Sequence, residues 1–151
     1  MSSVPEKQFS QREITLKDTS GNALPAIVEY GCRDWTEDGC RHTECRIALK
    51  WDGGEIEGID RHFFESFRRV REQLALQDLY PVCYGASRQI VVTGMAIDMG
   101  LGLKVYKAQL GCFLGRNQLV HIFDSGTDVE PVSVEAQQEF QREWVRSVKS
   151  K

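Results

Sequence analysis

The stretch Thr43-Glu44-Cys45-Arg46-Ile47-Ala48-Leu49-Lys50-Trp51 decides the fold class. Thr43, Cys45, Ile47, Leu49 and Trp51 fall on one side of an extended chain, and Glu44, Arg46 and Lys50 on the other. Successive side chains point to opposite faces of a strand, so this segment has a dry face and a wet face. A single wet face belongs to antiparallel sheet, since parallel strands are covered on both sides. Asp52-Gly53-Gly54 follows as a hairpin turn, because glycine takes the positive φ that a tight turn needs. Glu55–Ile59 returns as a short strand. Beyond it Phe63, Phe64, Phe67, Val70 and Leu74 recur at helical spacing. Asp60 is expected to cap this helix, its carboxylate accepting from the free N–H groups of the first turn. The spacing predicts a helix at about 61–77, its apolar stripe lying on the dry face of the sheet.

Working outward toward the N-terminus, Leu24, Ala26, Val28 and Tyr30 alternate along another strand. Ser20-Gly21-Asn22 turns the chain before it, and Ile14 and Leu16 mark an edge strand over Arg12–Lys17. Residues 1–10 read as a loose polar start. Between the two best strands, Gly31–Arg41 reads as a polar, acidic, glycine-punctuated loop.

The second half is less regular. Tyr80–Tyr84, Gln89–Thr93, Leu103–Leu110 and Leu119–Asp124 read as short strands, and Gly94–Gly102 is ambiguous between a loop and a helical turn. Ser133 is a good N-cap for a last helix at about 133–148. Ala136, Phe140, Trp144 and Val148 share one face of it, and Arg142, Arg146 and Lys149 suit its C-terminal dipole. Neither repeat nor linker divides residues 1–151. The expectation is a single α+β domain, a mainly antiparallel sheet with two principal helices packed on it.

The 151 residues are 41% hydrophobic and 27% charged, which is ordinary for a globular chain and unlike a disordered one. No apolar run approaches the ~18 residues of a membrane span. Met1–Ser10 carries no apolar signal-peptide core, so a cytoplasmic location is expected. The net charge of −3 argues against direct nucleic-acid binding. From Glu29 to Asp60 nine acidic residues face four basic ones, so that stretch carries −5 and the remainder about +2. Five cysteines at irregular spacing fit reduced thiols better than a disulfide scaffold.

Cys32, Cys40, His42 and Cys45 are zinc-ligand types, but no paired C-x-x-C knuckle is present. Strand parity also sends Cys40 and His42 away from Cys45. No bound metal and no cofactor are expected. Cys83 or Cys112 could act as a thiol nucleophile with His121 or His62 as base, yet no local signature surrounds either cysteine. Gly94, Gly100 and Gly102 match neither the dinucleotide fingerprint nor a Lys-bearing phosphate loop, and turning the chain explains them. Trp35 sits among Asp34, Glu37 and Asp38. It is either an exposed anchor for a basic partner or a side chain folded back onto the core.

Several second-half stretches carry a resemblance. They are Gly85-Ala86-Ser87-Arg88, Gly94-Met95, Met99-Gly100-x-Gly102-x-Lys104-x-Tyr106, and Asp128-Val129-Glu130-Pro131-Val132-Ser133-Val134-Glu135 followed by Gln137, Phe140 and Trp144. Together they resemble small bacterial immunity proteins found beside polymorphic toxins, over residues 80–145. The resemblance implies a cytosolic, non-enzymatic protein that binds one toxin domain. The acidic segment Asp34, Trp35, Glu37 and Asp38 is then the expected contact with a basic toxin domain. The rival readings are a small cysteine-dependent enzyme and an adaptor that binds a secretion component without inhibiting it.

Overall fold

The computed structural model describes residues 9–149. Four strands run as a meander: β1 (Ser10–Asp18), β2 (Ala23–Glu37), β3 (Cys40–Trp51) and β4 (Gly54–Asp60). Helix α1 (Phe63–Ala75) then crosses back, and β5 (Leu79–Pro81) joins the far side of β1. The sheet order is β4-β3-β2-β1-β5, and every pairing is antiparallel. β1 is therefore an interior strand, not the edge expected from sequence. Alternation reports which face is wet, and says nothing of whether the strand's hydrogen-bonding edges are taken.

A second, three-stranded sheet follows in the order β6-β7-β8, from β6 (Ile90–Val91), β7 (Lys104–Lys107) and β8 (Leu119–His121). The seven-residue helix α2 (Gly94–Gly100) links β6 to β7, capped by the Thr93 hydroxyl. The strand expected at Tyr80–Tyr84 is shorter: only Leu79–Pro81 pairs, and Tyr84–Ala86 form a 3-10 turn. The chain closes with α3 (Val134–Lys149), where Ser133 Oγ accepts from the Ala136 amide as its cap. The α+β class is thus as the sequence indicates. The polar start falls largely outside the described residues, though Ser10 already belongs to β1.

The dry face of the sheet meets α1 as the periodicities require. Cys45, Ile47 and Leu49 of β3 are fully buried, as are Phe67, Val70 and Leu74 of α1. Gly58 of β4 lies directly under α1, where a Cβ would overlap the Ser66 carbonyl oxygen. Phe123, just after β8, stacks edge-on against Phe67 and tilts against Tyr30, which ties the small sheet into the same core.

The cap of α1 is His62, not Asp60. Its Nδ1 accepts from the Glu65 amide at 3.2 Å. β4 holds its register to Asp60, which pairs with Cys45, so that carboxylate is spent at the strand end. There it accepts from the Arg61 amide at 2.7 Å and from Arg69 at 2.7 Å. Burial alone would raise Asp60, but these two donors hold it below the usual carboxylate range.

α3 is anchored by polar groups. Ala136, Phe140, Trp144 and Val148 are only half-buried, and the one fully buried residue of the helix is Gln137. Its amide donates to the Gly85 and Ser87 carbonyls and accepts from Arg71. Gln141 takes both the N–H and the C=O of Val92, much as a neighbouring strand would.

Candidate protein-binding site

β2 and β3 outrun their neighbours. β1 pairs with β2 only as far as Tyr30, and β4 pairs with β3 only as far as Cys45. Among the described residues, the ladder between β2 and β3 continues without a flanking strand through Arg33↔Glu44, Asp34↔Thr43, Trp35↔His42, Thr36↔Arg41 and Glu37↔Cys40. The segment expected as a loop at Gly31–Arg41 is therefore a two-stranded ribbon that projects beyond the sheet. Its tip is a two-residue turn at Asp38 (φ 53°) and Gly39 (φ 79°). Asp-Gly is the pair that a turn with two positive φ angles favours.

Strand parity divides the ribbon into two faces. On the face continuous with the side of the sheet opposite α1 lie Arg33, Trp35, Glu37, Cys40, His42 and Glu44. Trp35 stacks on its cross-strand partner His42, with ring centroids 5.3 Å apart and planes inclined by 21°. The Arg33 guanidinium lies over the Trp35 ring, 4.9 Å from its centroid, and pairs with Glu44 at 3.0 Å. The Trp35 indole N–H donates to Glu37 at 3.4 Å. Trp35 is thus neither folded onto the core nor fully open, but a half-buried plate held upright on the ribbon.

The opposite face carries Cys32, Asp34, Thr36, Arg41, Thr43 and Cys45. Asp34 accepts from the Thr43 hydroxyl at 2.6 Å and pairs with Arg41 at 3.4 Å. The four expected contact residues therefore separate. Trp35 and Glu37 share a face, Asp38 sits at the tip, and Asp34 points to the other side in a structural role. Sequence reasoning did not place Arg33 and His42 in the site. The signal available for them was Asp38-Gly39, the same residue pair as Asp52-Gly53, which fixes His42 opposite Trp35.

The acidic excess is also partly neutralised. Of the nine acidic residues between Glu29 and Asp60, Asp34, Glu44, Glu57 and Asp60 meet Arg41, Arg33, Arg46 and Arg69. Glu37 and Asp38, both exposed, are the carboxylates at the ribbon's outer end.

The remaining candidates are dispersed. Cys32 and Cys45 are directly opposed on one face, while Cys40 and His42 stand on the other, so the four thiol and imidazole groups do not converge. Among the described residues no group of three or more His, Cys, Asp or Glu side chains is placed to hold a metal. Cys83 is fully buried, and burial pushes its thiol up to about 12. Cys112 is exposed on the loop beside α3, with its carbonyl bound by the Trp144 indole. His62 is occupied as the α1 cap, and the Nδ1 of His121 accepts from the Phe123 amide. No hydrogen bond or ring contact joins either cysteine to either histidine among the described residues. Gly102 (φ 79°) lets the chain pass close to Phe64 at the start of α1, which accounts for it without a ligand. No described helix is long and apolar enough to cross a membrane.

No protein-family model matches the chain, and no curated protein matches it.

Proposed function

We propose that this chain is a cytoplasmic immunity protein, which neutralises a basic bacterial toxin domain by direct contact through the β2–β3 ribbon and carries out no catalysis itself. The observation that carries the reading is the ribbon. Among the described residues it extends past both flanking strands, holds an aromatic plate at Trp35 and His42, and ends in Glu37 and Asp38. A rigid, half-exposed tryptophan is the kind of side chain that dominates binding energy at an interface centre. Carboxylates at a protruding tip would steer a basic partner and make association salt-dependent. The resemblance of residues 80–145 to immunity proteins points the same way. The thiol-enzyme alternative draws no support from a protonated, buried Cys83 or from two histidines engaged elsewhere.

The test is to capture the bound partner from the native host, then express its toxic domain together with this chain. Wild type is expected to restore growth. Glu37→Ser with Asp38→Ser is expected to slow association most at low salt, and Trp35→Ala to raise dissociation and abolish protection. Asp34 is left intact in these variants because it holds Thr43 and Arg41. Undiminished protection by the Trp35→Ala variant would remove the ribbon from the interface. A chain that protects against no captured partner is not an immunity protein.

A further inference from the structure

Between α1 and α3 lies a cleft of about 560 Å³ with an unusual lining for an acidic protein. Its walls are Arg68 of α1, Val92, and Gln138, Gln141, Arg142, Val145 and Arg146 on or beside α3. Three guanidinium groups and two carboxamides thus line one cavity, and no carboxylate does.

The arginines are differently held. Arg68 is the fixed one: its side chain is 15% exposed, and its guanidinium lies 4.7 Å from the centroid of the Phe64 ring. Its Nη1 donates to Glu65 at 3.1 Å. Its Nε is buried and has no acceptor among the described residues. Native proteins seldom leave a buried donor unmet, so Nε is a donor with capacity for an acceptor from outside the chain. Glu65 pairs with Arg68, and Glu139 meets Arg142 at 2.8 Å and Arg146 at 3.6 Å, from outside the cleft lining.

We propose that this cleft binds the phosphate group of a small molecule. A guanidinium offers two forked edges to an oxyanion, and with Nη1 already on Glu65 the edge bearing Nε is the one without an acceptor. Arg142 and Arg146 reach the cleft from one side of α3 and supply further charge-assisted donors. Gln138 and Gln141 add neutral ones, with Gln141 already fixed on Val92. Val92 and Val145 give the cavity an apolar wall, and its volume lies within the usual range for small-molecule sites and well above that of a bare phosphate ion. Because Nε is shielded from solvent, the anion completes the fork only after a neighbouring side chain moves aside. This site lies apart from the ribbon and does not depend on the toxin-binding reading.

The experiment is a titration of the full chain with inorganic phosphate and, separately, with glycerol 3-phosphate. Sodium acetate and sodium chloride at matched ionic strength are the controls. The readout is the arginine Nε–Hε resonance of Arg68, assigned with Arg68→Lys. Saturable movement of that resonance by phosphate or its monoester, and not by acetate or chloride, is the expected result. The tighter of the two probes identifies whether a free ion or an ester is the natural source. Arg142→Gln with Arg146→Gln changes only exposed side chains and is expected to weaken binding about tenfold or more, as loss of one charge-assisted hydrogen bond would. Equal movement with all four salts, no saturation with either phosphate, or unchanged affinity in the double variant would overturn the proposal.

Discussion

Gln137 shows how much a single polar residue can hold. It joins the Gly85 and Ser87 carbonyls to α3 and accepts from Arg71 at 2.7 Å. Arg71 is 4% exposed, and it donates to Gln137 and to the carbonyls of Gly85 and Val132. Burial pushes its guanidinium down to about 10, which still leaves it charged at neutral pH. That charge is therefore met by neutral oxygens, and Gln137 provides one of them. Gln137→Leu keeps the volume but strands the Ser87 carbonyl and one Arg71 donor. The expected cost is about 1–3 kcal/mol, measured by urea unfolding. A change within the ~0.5 kcal/mol of an ordinary surface substitution would show that the network carries no stability. Gln137 was not legible in the sequence, whereas Ala136, Phe140 and Trp144 were. Apolar residues announce their face by spacing. A buried glutamine announces nothing, because its burial depends on partners that lie far along the chain.

At the scale of elements, the capping of α1 makes stability depend on pH. His62 caps the helix through an unprotonated Nδ1, and burial lowers its pKa below the ordinary 6.5, against the opposing pull of Glu65 and Asp60. His121 is lowered in the same direction by burial and by the charge of Arg12. Unfolded, both imidazoles take a proton near pH 6.5; folded, they resist it to lower pH. Below that value the unfolded state binds more protons, so stability is complete above about pH 6.5 and declines as the pH falls. Urea midpoints measured from about pH 7.5 to 5.5 are expected to fall. His62→Asn, which keeps a capping acceptor that does not titrate, is expected to flatten that slope while preserving neutral stability. An unchanged slope would show that His62 is not one of its sources. Which elements could be read from sequence follows the same physics of faces. β3 and α1 were legible because one side of each is buried by the other. The ribbon was not, although Asp38-Gly39 repeats the residue pair of Asp52-Gly53. Polar residues stand on both of its faces, Arg33 and Glu37 beside Trp35 on one and Asp34 and Thr36 on the other, so no period of two appears. The helix cap shifted from Asp60 to His62 because strand register, which no local motif reports, claimed Asp60 first.

For the whole molecule, the question is whether the ribbon serves the fold or a partner. The core cluster draws on both sheets and α1, and it contains no residue from 33 to 44. Those residues are nonetheless well organised, with an aromatic stack, two arginine–carboxylate pairs and a ladder that runs to the turn. Order of that kind, held outside the core, contributes little to global stability, because exposed ion pairs and cross-strand contacts are worth about 1 kcal/mol or less apiece. The register offers a clean excision. Cys32 and Cys45 face each other directly, so Asn-Gly in place of residues 33–44 closes the hairpin with a two-residue turn. If the ribbon exists for a partner, this shortened chain should melt within about 2–4 °C of wild type, the shift that about 1 kcal/mol produces in a domain of this size. It should also keep its cooperative unfolding, yet lose toxin capture and protection completely. A much larger fall in melting temperature would mean that the ribbon supports the sheet, and its projection would then be a consequence of folding. Retained protection in a stable shortened chain would move the interface elsewhere, first to α2, where Met95 and Met99 stand one turn apart with 68% and 82% of their surface exposed. Only the combination of intact stability and lost protection assigns the ribbon to binding, because it separates the residues that hold the fold from those that the fold holds out.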